Sequence, residues 1–140
     1  MRLVWIGHAV WDVLAVADQA GRSVRDELEG ADPSDTAAEL MRATLEVDVP
    51  LNGPPRNKRK CRDLGEGVYE FKEWGWRVLW FYDAGEPVRR RRIICTHSTP
   101  KLSKKEFKPE LVRARRIRKE YIAAKASGQL IEPKKPEVVP

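Results

Sequence analysis

Between Gly67 and Thr96 the chain changes side-chain character every second residue, with short turn-rich breaks. In Gly67–Lys72, Tyr69 and Phe71 fall on one face and Val68, Glu70 and Lys72 on the other. Gly75 marks a turn. Trp76–Asp83 then alternates again, with Arg77, Leu79 and Phe81 against Val78, Trp80 and Tyr82. Ala84–Pro87 turns the chain, and Val88–Thr96 is the last strand expected. Three strands joined by two- to five-residue connections predict an antiparallel meander.

Earlier in the chain, Trp11–Ala17 (WDVLAVA) reads as a first strand, closed by a turn at Asp18–Gly21. Residues 1–10 either extend that strand or form a short one of their own. Ser23 and Asp26 have capping-box spacing, so a short helix should begin there and end near Gly30. Asp32-Pro33 is a second start signal, with Pro at the first helical position. That helix should run to about Val47, because Ala37, Leu40, Met41 and Leu45 form one apolar stripe. Pro50 and the NGPPRN segment should stop it, and residues 52–63 read as a basic, turn-rich loop. From Lys108 the period becomes helical, with Ala114, Ile117, Tyr121 and Ala124 on one face, until Gly128. The expectation is an α+β fold: an antiparallel sheet, two N-terminal helices over one face and a C-terminal helix. One domain should span residues 1–127, followed by a proline-rich, disordered tail at 128–140.

Charge adds a direction to this pattern. The formal net charge is +6. Residues 1–54 hold 4 Lys/Arg against 10 Asp/Glu, whereas residues 55–140 hold 23 against 11. The basic half is the half that carries the meander, and its excess is larger than the acidic half can neutralise. A polyanion-binding face follows as the expectation. Two cysteines, Cys61 and Cys95, are too few for a disulfide framework. His8 and Asp12 interrupt the apolar opening, and no run reaches the roughly 20 apolar residues of a membrane span. A cytoplasmic protein is expected. His8 and His97 are the only histidines, and no CxxC or HxxxH spacing occurs, so no metal site and no cofactor are expected. Gly65 and Gly67 of LGEG lack the Lys-Ser/Thr of a phosphate loop and read as a turn.

A basic sheet with aromatics and one late histidine suits metal-free RNA cleavage. There a 2′-hydroxyl attacks the adjacent phosphate, a base takes its proton, an acid protonates the leaving 5′-oxygen, and cations stabilise the phosphorane. Arginine serves the last role because it stays charged and is bidentate toward phosphate.

LGEGVYEFK, then WRVLWFYD, IICTH, a lysine-rich loop and KPELVRARRIRKEY together resemble the HigB-like, phage-derived branch of the RelE/ParE toxin superfamily. The resemblance covers about residues 11–124. It implies a microbial-ribonuclease-like α+β fold and the toxin half of a type II toxin–antitoxin pair. Its partners would be a helix-turn-helix antitoxin, the ribosome and mRNA, which most cleaving members cut without metal. By that resemblance Arg77 matches the strand arginine at the scissile phosphate and Lys72 a basic position near it. His97 matches the histidine closing the last strand, and Lys101, Lys104 and Lys105 the loop after it. That loop reads HSTPKLSKK where the family pattern is HGFxKK. Lys58, Lys60, Arg90, Arg92, Lys105, Arg113 and Arg116 are the further candidates for RNA contact.

Each candidate has an ordinary structural alternative. Arg77 could pair with Glu70 on the next strand. His97 could simply cap the strand end. Arg89–Arg92 could be a solvated edge that blocks aggregation. Trp74, Trp76, Trp80 and Tyr82 read as core or partner-groove residues first and as base-stacking surfaces second. Superfamily members also include inhibitors of gyrase, so a non-catalytic inhibitor of a protein target is the alternative function, as is a phage regulatory protein that has lost catalysis.

Overall fold

The computed structural model describes residues 1–83 and 91–134. Six strands form one sheet: β1 (Leu3–His8), β2 (Asp12–Val16), β3 (Cys61–Gly65), β4 (Val68–Glu73), β5 (Trp76–Tyr82) and β6 (Arg92–Pro100). Their spatial order is β1-β2-β6-β5-β4-β3. The meander is present from β3 to β6, but the sheet is mixed rather than antiparallel, because β2 pairs with β6 in parallel from Asp12↔Arg92 to Ala15↔Cys95. A parallel neighbour needs a long crossover. Here everything between β2 and β6 supplies it: the chain leaves for its helices, returns at the far edge as β3 and meanders back.

The capping box at Ser23 and Asp26 forms and starts α1 (Val24–Glu29). The next helix begins later than the Asp32-Pro33 signal. Asp32 instead accepts hydrogen bonds from the backbone and hydroxyl of Ser34, and Asp35 caps α2 (Thr36–Ala43). Pro50 does not end the helical path. A wider, π-helical turn at Thr44–Asp48 precedes α3 (Val49–Asn52), which holds the proline near its start. Gly53 stops it, at φ +77°, where a Cβ would lie 2.8 Å from the Trp11 indole.

Part of the expected basic loop is β3. It has no apolar alternation, and it forms because β4 offers its outer edge, with Arg62 opposite Glu70. The two-residue link Glu66-Gly67 has positive φ at both positions, as a tight hairpin demands. At the other end, β6 runs on past Thr96 to Pro100, because β5 is long enough to pair with it as far as Trp76↔Pro100. Val88–Arg90, expected in this strand, lie outside the described residues.

The sheet is covered on both faces. Val13, Val78, Trp80 and Cys95 pack under α1–α3 with Leu28, Met41, Leu45 and Val49. Trp80 is stacked between Tyr69 and Phe71, each at 4.7 Å. Leu14, Phe81 and Ile94 pack on the other face against Ile117 and Tyr121 of α4 (Lys104–Ala126), and Val68 and Leu79 against Ala114. The predicted stripe of that helix is therefore its buried side. Residues 128–134, expected as disordered tail, lie along β1: Ile131 bonds the backbones of Met1 and Leu3. Glu132 reaches Arg92.

Candidate functional site

Strand parity places Glu70 and Lys72 of β4 and Arg77 of β5 on the α4 face of the sheet. They lie beyond the patch that Leu79, Val68 and Ala114 fill. The first turn of α4 arrives beside them. Ser103 caps it, accepting from the Glu106 amide while the Glu106 carboxylate accepts from Ser103. Lys101 and Lys104 flank that cap. The result is a cleft of about 210 Å³ lined by Arg62, Glu70, Lys72, Arg77, Lys101 and Lys104, with Leu102 and Phe107. Five cations face one carboxylate, and the positive end of the α4 dipole adds to their field.

Lys72 and Arg77 are directly opposite across the β4–β5 ladder. Glu70 does not neutralise Arg77. Its carboxylate lies 2.9 Å from Arg62 on the other side. The Arg77 guanidinium is held by backbone, its Nη1 donating to the carbonyls of Trp74 (2.6 Å) and Trp76 (2.9 Å). Among the described residues no carboxylate pairs with Lys72, Arg77, Lys101 or Lys104. Like charges facing each other on a sheet cost stability, and an anion seated between them removes that cost.

The other candidates are distributed elsewhere. His97 is 3% exposed and lies outside this cleft. Glu110 Oε2 is 2.7 Å from its Nε2, and Thr96 Oγ1 3.0 Å from its Nδ1. A carboxylate only accepts, so Nε2 carries the proton. Burial and then the Arg113 charge hold the imidazole below its ordinary value, against the pull of Glu110. A neutral histidine that lines a different cavity is not placed to protonate a substrate in the cation cleft. With Arg113 and Arg116 it lines a separate groove of about 580 Å³ between α4 and the β2–α1 turn.

Lys60 and Arg92 are also structural. Lys60 Nζ bonds both oxygens of Glu73, at 2.9 and 2.7 Å, and Glu73 also accepts from Thr44. Arg92, 6% exposed, is bidentate to Glu132. Both are engaged by carboxylates, Arg92 buried and Lys60 still half-exposed. Lys58 and Lys105 are exposed, and Lys105 sits on the same turn of α4 as Lys104. Arg90 lies outside the described residues, and its neighbour Arg91 stands over the Trp11 ring at 5.8 Å. Two charged cleft residues are absent from the sequence candidates. Arg62 is hidden in what reads as a loop, and the sequence offers Glu70 as a partner for Arg77 and, by the resemblance, as a position where the HigB-like branch commonly has Glu and ribosome-cleaving members a lysine, but with no role in the site. The opposed Arg62 and Glu70 become visible only once β3 is recognised as a strand.

The fold and cleft thus define an α+β protein with a six-stranded mixed sheet and a compact cationic site at one end of it. The chain matches no protein-family model and no curated protein. No helix among the described residues is long and apolar enough to cross a membrane.

Proposed function

We propose that this protein is an endoribonuclease, the toxin of a type II toxin–antitoxin pair, which cuts mRNA at the ribosome in the cytoplasm and is held inactive by its antitoxin. The observation that carries the reading is the cleft: Lys72, Arg77, Lys101 and Lys104 converge without carboxylate partners around one acidic residue. Lys72 and Arg77 would clasp the scissile phosphate from two strands. Glu70 is the one carboxylate in the lining; it is 1% exposed and paired with Arg62, and it would take the 2′-hydroxyl proton once the bound phosphate draws Arg62 away from it. The 2′-oxygen then attacks phosphorus, the P–O5′ bond breaks, and a 2′,3′-cyclic phosphate remains. Lys101 or Lys104 would supply the proton to the departing 5′-oxygen, and the cations would stabilise the phosphorane. A net charge of this sign repels a divalent cation, so the chemistry assigned to these residues runs without one. The motifs running from LGEGVYEFK to KPELVRARRIRKEY support the toxin reading.

Induced expression followed by primer extension on cellular mRNA tests the proposal. New ends inside coding regions and growth arrest are expected, both lost in Arg77→Ala. Growth arrest without new ends would favour a protein-directed inhibitor on the same fold. Toxicity retained in Arg77→Ala would refute the phosphate role.

A further inference from the structure

The β4–β5 hairpin turns through two residues, Trp74 and Gly75. The first has φ +51°, a left-handed backbone that glycine or asparagine adopts far more readily than tryptophan. Trp74 is also the most exposed large hydrophobic side chain among the described residues, at 75%. A scattered exposed apolar residue needs no explanation, but this indole is exposed on a strained backbone that the cleft itself holds in place. Arg77 Nη1 donates to the Trp74 carbonyl. The Lys101 amide donates to the Gly75 carbonyl at 2.8 Å. From the opposite face, Trp76 Nε1 donates to Asp35 Oδ2 at 3.1 Å. Two residues that line the cation cleft therefore fix the turn that presents the ring.

The remaining aromatics of the hairpin are committed. Trp80 is sealed between Tyr69 and Phe71, and Tyr82 packs edge-on against Tyr69 and Trp80. Trp74, at 75% exposure against 38% for Tyr82, carries the most open ring of the hairpin, on a turn whose carbonyl is held by the cleft residue Arg77. From this placement, and resting on the reading that the cleft holds a scissile RNA phosphate, we infer that Trp74 is a stacking platform for a base of single-stranded RNA next to that phosphate. Every base has a π-face, so the platform selects unpaired RNA rather than a particular sequence. Its rigid mounting keeps the ordering cost of binding low.

The test uses the full chain and two uncleavable probes: a 2′-O-methyl RNA octamer and an abasic ribose-phosphate octamer of equal charge. Trp74→Ala should weaken binding of the base-bearing octamer about tenfold, the loss expected for one stacked base. It should leave the abasic octamer unchanged, and Trp74→Phe should recover most of the loss. Wild-type tryptophan emission should be quenched by the base-bearing octamer, and this quenching should be largely absent in Trp74→Ala. Arg77→Ala should weaken both probes. If Trp74→Ala binds the octamer as wild type does, or weakens both probes equally, the inference is overturned. An effect of Arg77→Ala on both probes would then leave the phosphate reading standing. Conversely, a base-specific Trp74 effect with a silent Arg77→Ala would uphold stacking and remove the phosphate site. Unchanged RNA binding by Trp74→Ala with loss of antitoxin binding would reassign the ring to a protein interface.

Discussion

Replacing Lys72 by Met should make the protein more stable and a worse binder of RNA. The side chain lies directly across from Arg77 on the neighbouring strand and has no carboxylate partner among the described residues. Met keeps most of the aliphatic stem and removes only the charge. Two unit charges about 6 Å apart repel by about 0.7 kcal/mol in water. Opposed like charges on a sheet fall in the same range, roughly 0.2–1 kcal/mol. For a chain of this size the gain corresponds to a melting temperature about 1–4 °C higher. Because the site is open to solvent, the gain should shrink as salt rises and the Debye length falls to about 3 Å near 1 M. RNA affinity should move the other way, and the slope of log K against log salt should lose about 0.7, the share of one single-strand phosphate contact. Thermal melts at low and high salt, with RNA titrations on the same preparations, measure both. A Lys72→Met variant that is less stable at low salt would refute the reasoning, since it would mean that Lys72 is already neutralised within the fold.

Glu70→Gln separates binding from chemistry. Removing the one carboxylate in the cleft lining should leave RNA binding unchanged or tighter while cleavage falls about 10²–10⁴-fold, as for a lost general base; equal losses in binding and rate would show that the Arg62–Glu70 pair only holds the site together. His97 should make stability depend on pH with a defined sign. Its folded-state affinity for protons is depressed below the ordinary 6.5, so the unfolded chain binds more protons near pH 6. Its contribution is complete above 6.5 and is lost as pH falls below it. The Glu27 carboxyl, raised above 4.5 mainly by burial, acts with the opposite sign as pH rises above 4.5. Melting temperature should therefore drop between pH 7.5 and 5.5, and less so in His97→Asn; no drop would refute the neutral assignment.

Period and punctuation made several elements legible. The Tyr69/Phe71 and Leu79/Phe81 alternations locate β4 and β5, Ser23 and Asp26 locate α1, and the Ala114–Tyr121 stripe locates the buried side of α4. Strand parity alone put Glu70 and Lys72 on one face and Arg77 with Leu79, which is half of the cleft. What escaped depends on partners distant in sequence. β3 is a polar edge strand whose pattern is meaningless until β4 lies beside it. The parallel β2–β6 pair joins residues about 80 positions apart and has no local signal. Lys60 and Arg92 looked as available as Lys72 because Glu73 and Glu132 lie 13 and 40 residues away. A bulge in β6 opposite Leu79 and Trp80 turns His97 onto the α4 face beside Leu79, where Glu110 covers it and keeps it out of the cleft, and a bulge has no signal in the strand's own period.

These pairings change what the basic half of the chain means. Taken as a total, its surplus charge suggests a diffuse polyanion-binding surface. Residue by residue, two groups of cations stand out among the described residues. Lys60, Arg62, Arg92, Arg115 and Lys125 each meet a carboxylate on another element and tie the sheet edge, the tail and α4 together. Lys72, Arg77, Lys101 and Lys104 meet none and converge in a single cleft. Lys58, Lys105, Lys108, Arg116 and Lys119 also meet no carboxylate, but they are exposed and line no part of this cleft. A generic solvated surface would spread all its unpaired cations apart, because repulsion among them falls with distance. Concentrating four of them, two in direct cross-strand opposition, is unfavourable in the free protein. The arrangement becomes favourable when one compact anion reaches all four. That requirement fits a phosphate held at a reacting centre better than a long polyanion lying across the face, and it is why the cleft, more than the net charge, carries the functional reading.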